Sequence, residues 1–167
     1  MLTALNLQRH VACAAPQGPL HLESWFAQQA RDGHILITLR APVGFAGWPK
    51  IELARECLVQ ITPARPPGSM IPEYRVTWNS ANGGPFPEFT GILSIRNADD
   101  YTSCNIALDG TYRPPLGPTG VAFDRTIGHT IAVACGNDLL ERIATWMESE
   151  YRAVEQAKSE KRASAPH

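Results

Sequence analysis

The sequence predicts one α+β domain, in which a curved antiparallel β-sheet wraps around a long C-terminal α-helix and a short helical segment follows the first strand. Three observations lead there. Successive segments up to Arg113 alternate apolar and polar residues with the period of a half-buried strand. The turns that separate the later segments are too short for the crossover helices that parallel strands need. Beyond Pro118 the apolar period becomes helical, with no proline between Gly120 and Ala157.

Taken in order, Leu5, Leu7, Val11 and Cys13 share one face of the first strand opposite Asn6, Gln8 and His10. Leu22, Trp25, Phe26 and Ala30 then stand at helical spacing within His21–Arg31. Ile35, Ile37 and Leu39 begin the next strand. The strongest strand pattern is Ile51–Ile61, where Ile51, Leu53, Cys57, Val59 and Ile61 oppose Glu52, Glu56 and Gln60. Tyr74-Val76-Trp78, Phe89-Gly91-Leu93-Ile95 and Cys104-Ile106-Leu108-Gly110-Tyr112 complete the set. Pro63 to Gly68, Asn82-Gly83-Gly84-Pro85 and Asn97 to Asp100 punctuate these runs. The C-terminal helix carries Ile127, Ile131, Ala134, Cys135, Leu139, Ile143, Trp146 and Met147 as an apolar band, with Thr119 as N-cap and Asp124 near the positive dipole end. About 35 residues of helix span ~50 Å, which one sheet supports only by curling around it. The domain is expected over residues 1–157, with 158–167 a polar, disordered tail.

Composition narrows the function classes. The chain has 167 residues, 44% hydrophobic and 19% charged, with a formal net charge of -1, as expected of one globular domain. Basic residues form no stripe of the kind a nucleic-acid groove needs, so no nucleic-acid partner is expected. No apolar run approaches the ~20 residues of a membrane-spanning helix, and the N-terminus lacks the continuous apolar stretch of a signal peptide. A cytoplasmic location is expected. Cys13, Cys57, Cys104 and Cys135 lie within apolar patterns without metal-ligand spacing, so buried reduced thiols are expected, with no metal and no cofactor. Phosphate loops, nucleophile elbows and zinc-helix motifs are missing from the sequence.

Gly128, Ala132, Ala134, Cys135 and Gly136 make the helix thin where it crosses the sheet. Small side chains there either leave an apolar cavity beside them or let helix and sheet approach closely.

The order of elements resembles the START/Bet v 1-like (SRPBCC) superfamily, whose architecture is the helix-grip fold. The residues carrying the resemblance are Phe89-Thr90-Gly91-Ile92-Leu93, Leu108 to Gly117, Gly120 to Asp124, Gly128 to Ala132 and Leu139 to Ala144. They are similar to uncharacterised bacterial members. The resemblance covers residues 50–150 well and the first 50 by element order. It implies a cavity between sheet and helix that holds a lipid, isoprenoid, quinone or polyketide-like molecule, with cyclases and hydrolases among the relatives.

Several residues are candidates for binding such a molecule. Arg9 and Arg55 interrupt apolar faces, and a buried guanidinium must meet a carboxylate, a carbonyl or a ligand, unless a bulge or strand edge lets it reach water. His129 lies in the thin part of the helix and can exchange protons near neutral pH. Tyr74, Trp78, Phe89, Tyr112 and Cys135 fall on faces that would form the wall. The favoured function is binding or carrying a hydrophobic small molecule. The alternatives are a polyketide cyclase- or dehydratase-like enzyme, with Arg55 holding an enolate and His129 moving the proton, and a protein-interaction module without a ligand.

Overall fold

A computed structural model of the chain describes residues 2–43, 51–64, 66–84, 86–114 and 125–164. Six strands, β1 (Thr3–Val11), β2 (Ile35–Val43), β3 (Ile51–Pro63), β4 (Glu73–Ser80), β5 (Glu88–Asn97) and β6 (Cys104–Arg113), pair antiparallel in the order β1-β6-β5-β4-β3-β2. Helix α1 (Gly18–Gln29) follows β1, and α2 (Arg125–Ala163) ends the chain. All six strand patterns read from the sequence are strands. The expected N-cap at Thr119 and first-turn Asp124 lie outside the described residues.

Alternation dictates which side of each strand is buried. Leu5, Ile106, Leu108, Leu93, Val76 and Ile61 occupy the inner face with 4% exposure or less, while Asn6, Gln8, Thr77 and Asp109 face outward. Each hairpin has its own turn chemistry. Gly83 and Gly84 supply the positive φ of the β4–β5 turn, where the Ser80 hydroxyl donates to the Gly83 carbonyl at 2.7 Å. At the β5–β6 turn Asp100 accepts from the Thr102 amide and from the Ser103 hydroxyl at 2.6 Å, and the Ser103 bond holds its carboxyl below the usual range.

The edge strands β1 and β2 lie at opposite ends of the sheet order, yet both pack on α2. A sheet can do this only by curling until its edges flank one helix. An edge strand presents unpaired backbone groups, and α2 meets them with side chains. Asp138 Oδ2 accepts from the Arg40 amide of β2 at 3.2 Å, and Arg142 Nη2 donates to the Thr38 carbonyl at 2.8 Å. On the other edge Glu148 Oε1 accepts from the Ala12 amide at 3.0 Å. Helix α1 closes one end of the curl, with Gly18 packed against Ile95 and Met147.

Helix α2 runs to Ala163, so residues 158–163 are helical where a disordered tail was expected. From Arg152 onward every described residue is exposed, and local pairs carry this part: Lys158 on Glu155 at 2.6 Å, Gln156 on Glu160 at 3.3 Å, and Lys161 and Arg162 at the negative end of the dipole.

Candidate functional site

Strand register assembles a wall from residues far apart in sequence. Tyr112 of β6 pairs with Phe89 of β5, Phe89 with Trp78 of β4, Trp78 with Val59 of β3, and Val59 with Ile35 of β2. All five lie on the inner face and are 2% exposed or less. Trp78 and Phe89 stack with centroids 4.1 Å apart and planes 15° from parallel. The Trp78 indole N–H donates to the Pro87 carbonyl at 3.0 Å, so the ring adds no unsatisfied polar group to the wall.

One row further along, Gly91 and Gly110 pair directly. Pairing along β6 is one-to-one from Cys104 to Arg113, so no bulge interrupts the strand at Gly110. Its role is close approach. A Cβ at Gly110 would lie 2.4 Å from the Thr90 carbonyl oxygen and 2.7 Å from Phe89 Cζ, and one at Gly91 would lie 2.5 Å from Phe89 Cζ. The Phe89 ring therefore lies against the floor of the sheet, over both glycines.

Opposite this wall, α2 rests most closely on β1 and β2 and less on β6. The small helix residues divide by position. At Gly136 a Cβ would fall 2.3 Å from Leu7 Cδ1, so this glycine lets α2 approach β1 and borders no void. Ala132 and Cys135 are fully buried on the inner side of the helix. Burial pushes the Cys57 thiol up to about 12 and Cys135 higher still, with the charges of Cys57 and Asp138 adding to the Cys135 shift. Both are neutral, apolar surface at physiological pH.

The two pattern-breaking arginines have different fates. Arg9 stands in register with Ile106 on the inner face of edge strand β1, and its guanidinium pairs there with Glu141 of α2. Its Nε is buried without a partner among the described residues. Arg55 stands in register with Leu39 and two residues from Cys57, both fully buried, yet is itself exposed. The last β3–β4 pair is Cys57 with Ser80, so Arg55 sits where β3 overhangs its neighbour.

Tyr112 and His129 join wall and surface. The buried Tyr112 hydroxyl lies 3.2 Å from His129 Nδ1 and donates to it when that nitrogen carries no proton. His129 is exposed and lines an open cleft of about 700 Å³ along the outer side of α2, together with Arg9, Arg40, Thr130, Ala134 and Glu141. Arg9 and His129 thus meet in that cleft, whereas Trp78, Phe89, Tyr112 and Cys135 belong to the interior. Tyr74 is also on the inner face, nearer α1, where its hydroxyl donates to Glu23 at 2.9 Å. No cluster of metal-binding side chains occurs among the described residues, and no helix among them is long and apolar enough to cross a membrane.

Sequence reasoning missed the Asp138–Arg142 clasp on β2, although the i,i+4 spacing of opposite charges was a usable signal. It also missed His21 of α1, 3% exposed, with Nε2 unpartnered among the described residues.

No protein-family model matches the sequence, and no curated protein matches it. Solved structures do. A conserved protein from Geobacillus kaustophilus superposes with a TM-score of 0.52 over 89% of this chain and 97% of that one, at 13% identity. A START superfamily protein from Mycobacterium smegmatis gives 0.43 over 90% and 98% of the two chains, at 14% identity. Norcoclaurine synthase from Thalictrum flavum, solved with dopamine and hydroxybenzaldehyde, gives 0.45 over 87% and 86%, at 12% identity. A six-stranded antiparallel sheet in the order β1-β6-β5-β4-β3-β2, curled so that both edges hold a long C-terminal helix, decides the matter. The fold is the helix-grip fold. Within the helix-grip frame of this chain, Trp78, Phe89 and Tyr112 lie buried on the inner face of the central strands, and Ala132 and Cys135 lie buried on the inner side of the helix. Likeness at these identities concerns the frame, and the chemistry has to come from the side chains.

Proposed function

We propose that this protein binds a hydrophobic small molecule between the inner face of the sheet and α2. The observation that carries this reading is the stacked Trp78–Phe89 pair on the central strands, facing a helix whose close contacts are with the sheet edges. Aromatic rings in an apolar wall bind planar or branched apolar molecules by dispersion and by release of water. Neutral thiols at Cys57 and Cys135 keep the lining free of charge.

A second reading, an enzyme of the cyclase or dehydratase kind, is favoured by the Tyr112–His129 hydrogen bond. It connects a hydroxyl on the inner wall to an exposed imidazole able to exchange protons with water.

The test of binding is titration with N-phenyl-1-naphthylamine, a neutral apolar fluorophore. Saturable enhancement with quenching of tryptophan emission is expected, competed by unlabelled apolar molecules. Fluorescence rising only linearly with protein would overturn the reading.

A further inference from the structure

Arg55 is an inward-register cation on β3 that the described residues leave unneutralised. Arg9, which breaks the same alternation on β1, is paired with Glu141. Among the described residues no carboxylate or carbonyl engages the Arg55 guanidinium, although Glu52 and Glu56 lie on the same strand. Glu52 is taken by Arg40 at 3.2 Å, and Glu56 accepts from Asn82 at 3.3 Å. Alternation sends those two carboxylates to the outer face and Arg55 to the inner one, in register with buried Leu39. Its charge also reaches the neighbouring inward thiol, where it partly offsets the effect of burial on Cys57.

We propose that Arg55 receives the anionic head of the bound molecule, which is therefore an amphipathic organic acid lying along β3 and β4 with its apolar body against Trp78 and Phe89. This rests on the interior binding reading. The frame provides a ruler: Trp78 pairs with Val59, four residues from Arg55 on β3, a rise of about 13 Å. An acid whose ring system or chain sits at the aromatic pair can thus place its head group at the guanidinium. A single guanidinium balances a single negative charge. That fits a carboxylate better than a phosphate monoester, which carries about −1.5 to −2 at pH 7. The planar fork of arginine accepts a carboxylate through two parallel hydrogen bonds. Exposure at Arg55 lets the head group stay partly hydrated while the tail is buried, so neither end bears the full cost of desolvation.

The experiment compares 1-pyrenedecanoate with 1-pyrenedecanol at pH 7.5, probes that share a tail and differ in the head. Both are titrated into the full chain as wild type, Arg55→Gln and Arg55→Lys. The wild type is expected to prefer the acid by about tenfold, the size of a solvent-screened charge-assisted contact. Arg55→Gln should bind acid and alcohol alike, and Arg55→Lys should keep part of the preference. Raising the salt concentration should erode the wild-type preference without altering alcohol binding. Equal binding of acid and alcohol by the wild type, or a preference that survives in Arg55→Gln, overturns the proposal and leaves interior binding standing. Failure of both probes to bind overturns the two together.

Discussion

Gly91 and Gly110 face each other across β5 and β6 with the Phe89 ring laid over both, so neither position has room for a methyl group. The obstacles include backbone atoms as well as the ring: the Asp109 carbonyl oxygen is 2.5 Å from a Cβ at Gly91, and the Thr90 oxygen 2.4 Å from one at Gly110. Backbone cannot swing aside as a side chain can.

Gly110→Ala is therefore expected to destabilise the fold by about 3 kcal/mol, at the upper end of overpacking costs. Gly136→Ala is the control. Its Cβ would meet Leu7 Cδ1, the far end of a half-buried side chain, and replacing a helical glycine regains about 1 kcal/mol. Its net effect should stay within about 1 kcal/mol of wild type. Urea denaturation midpoints measure both, and equal losses would contradict this account of the two glycines.

The four thiols make stability depend on alkaline pH. Burial pushes Cys13 up to about 11 and Cys57 and Cys104 up to about 12, from an ordinary thiol value of 9.0, with Cys135 raised further. Below pH 9 the thiols are protonated folded and unfolded, and contribute no slope. Above it the unfolded chain loses these protons first, so stability falls as pH rises, by up to about 1.4 kcal/mol per pH unit for each thiol. Denaturation at pH 8 and pH 10 should show the loss, and Cys57→Ala with Cys135→Ala should flatten it. In the native protein at pH 8 all four should resist a thiol-specific chromogen, and rapid labelling would contradict their burial.

The contacts between α2 and the two sheet edges should differ in weight. Arg9 and Glu141 are about half exposed, at 41% and 52%, so Arg9→Ala should cost less than about 1 kcal/mol. Asp138 is 22% exposed, accepts the edge amide of Arg40 and orients Arg142 toward the Thr38 carbonyl. Asp138→Ala removes the first bond and loosens the second, an expected loss of about 2 kcal/mol. Faster hydrogen exchange at the Arg40 amide would locate that loss at the β2 edge.

How much of this was legible beforehand depends on the interaction concerned. Strand identity rests on local alternation, and segments such as Tyr74-Val76-Trp78 declare their buried face without tertiary information. Register is not local. Nothing in the sequence says that Tyr112, Phe89, Trp78, Val59 and Ile35 form one row, because that depends on turn lengths and on the long-range pairing of β1 with β6. Arg9 shows the same limit: alternation assigned it inward, but only the packing of α2 on β1 shows that its partner is Glu141. Gly136 answers a question that side-chain size left open, since only the position of Leu7 shows that close packing wins there. The helix beyond Ala157 was underestimated because its support consists of exposed i,i+3 and i,i+4 pairs and carries no apolar signal.

Isotope-filtered nuclear Overhauser spectroscopy on the labelled protein with bound N-phenyl-1-naphthylamine locates the occupied volume directly. Cross-peaks from the fluorophore to the rings of Trp78 and Phe89 and to the methyl group of Ala132 are the expected result. Contacts confined to surface side chains such as Met70 and Leu20, with the Trp78 and Phe89 resonances unmoved, would contradict an apolar binding site inside the curl.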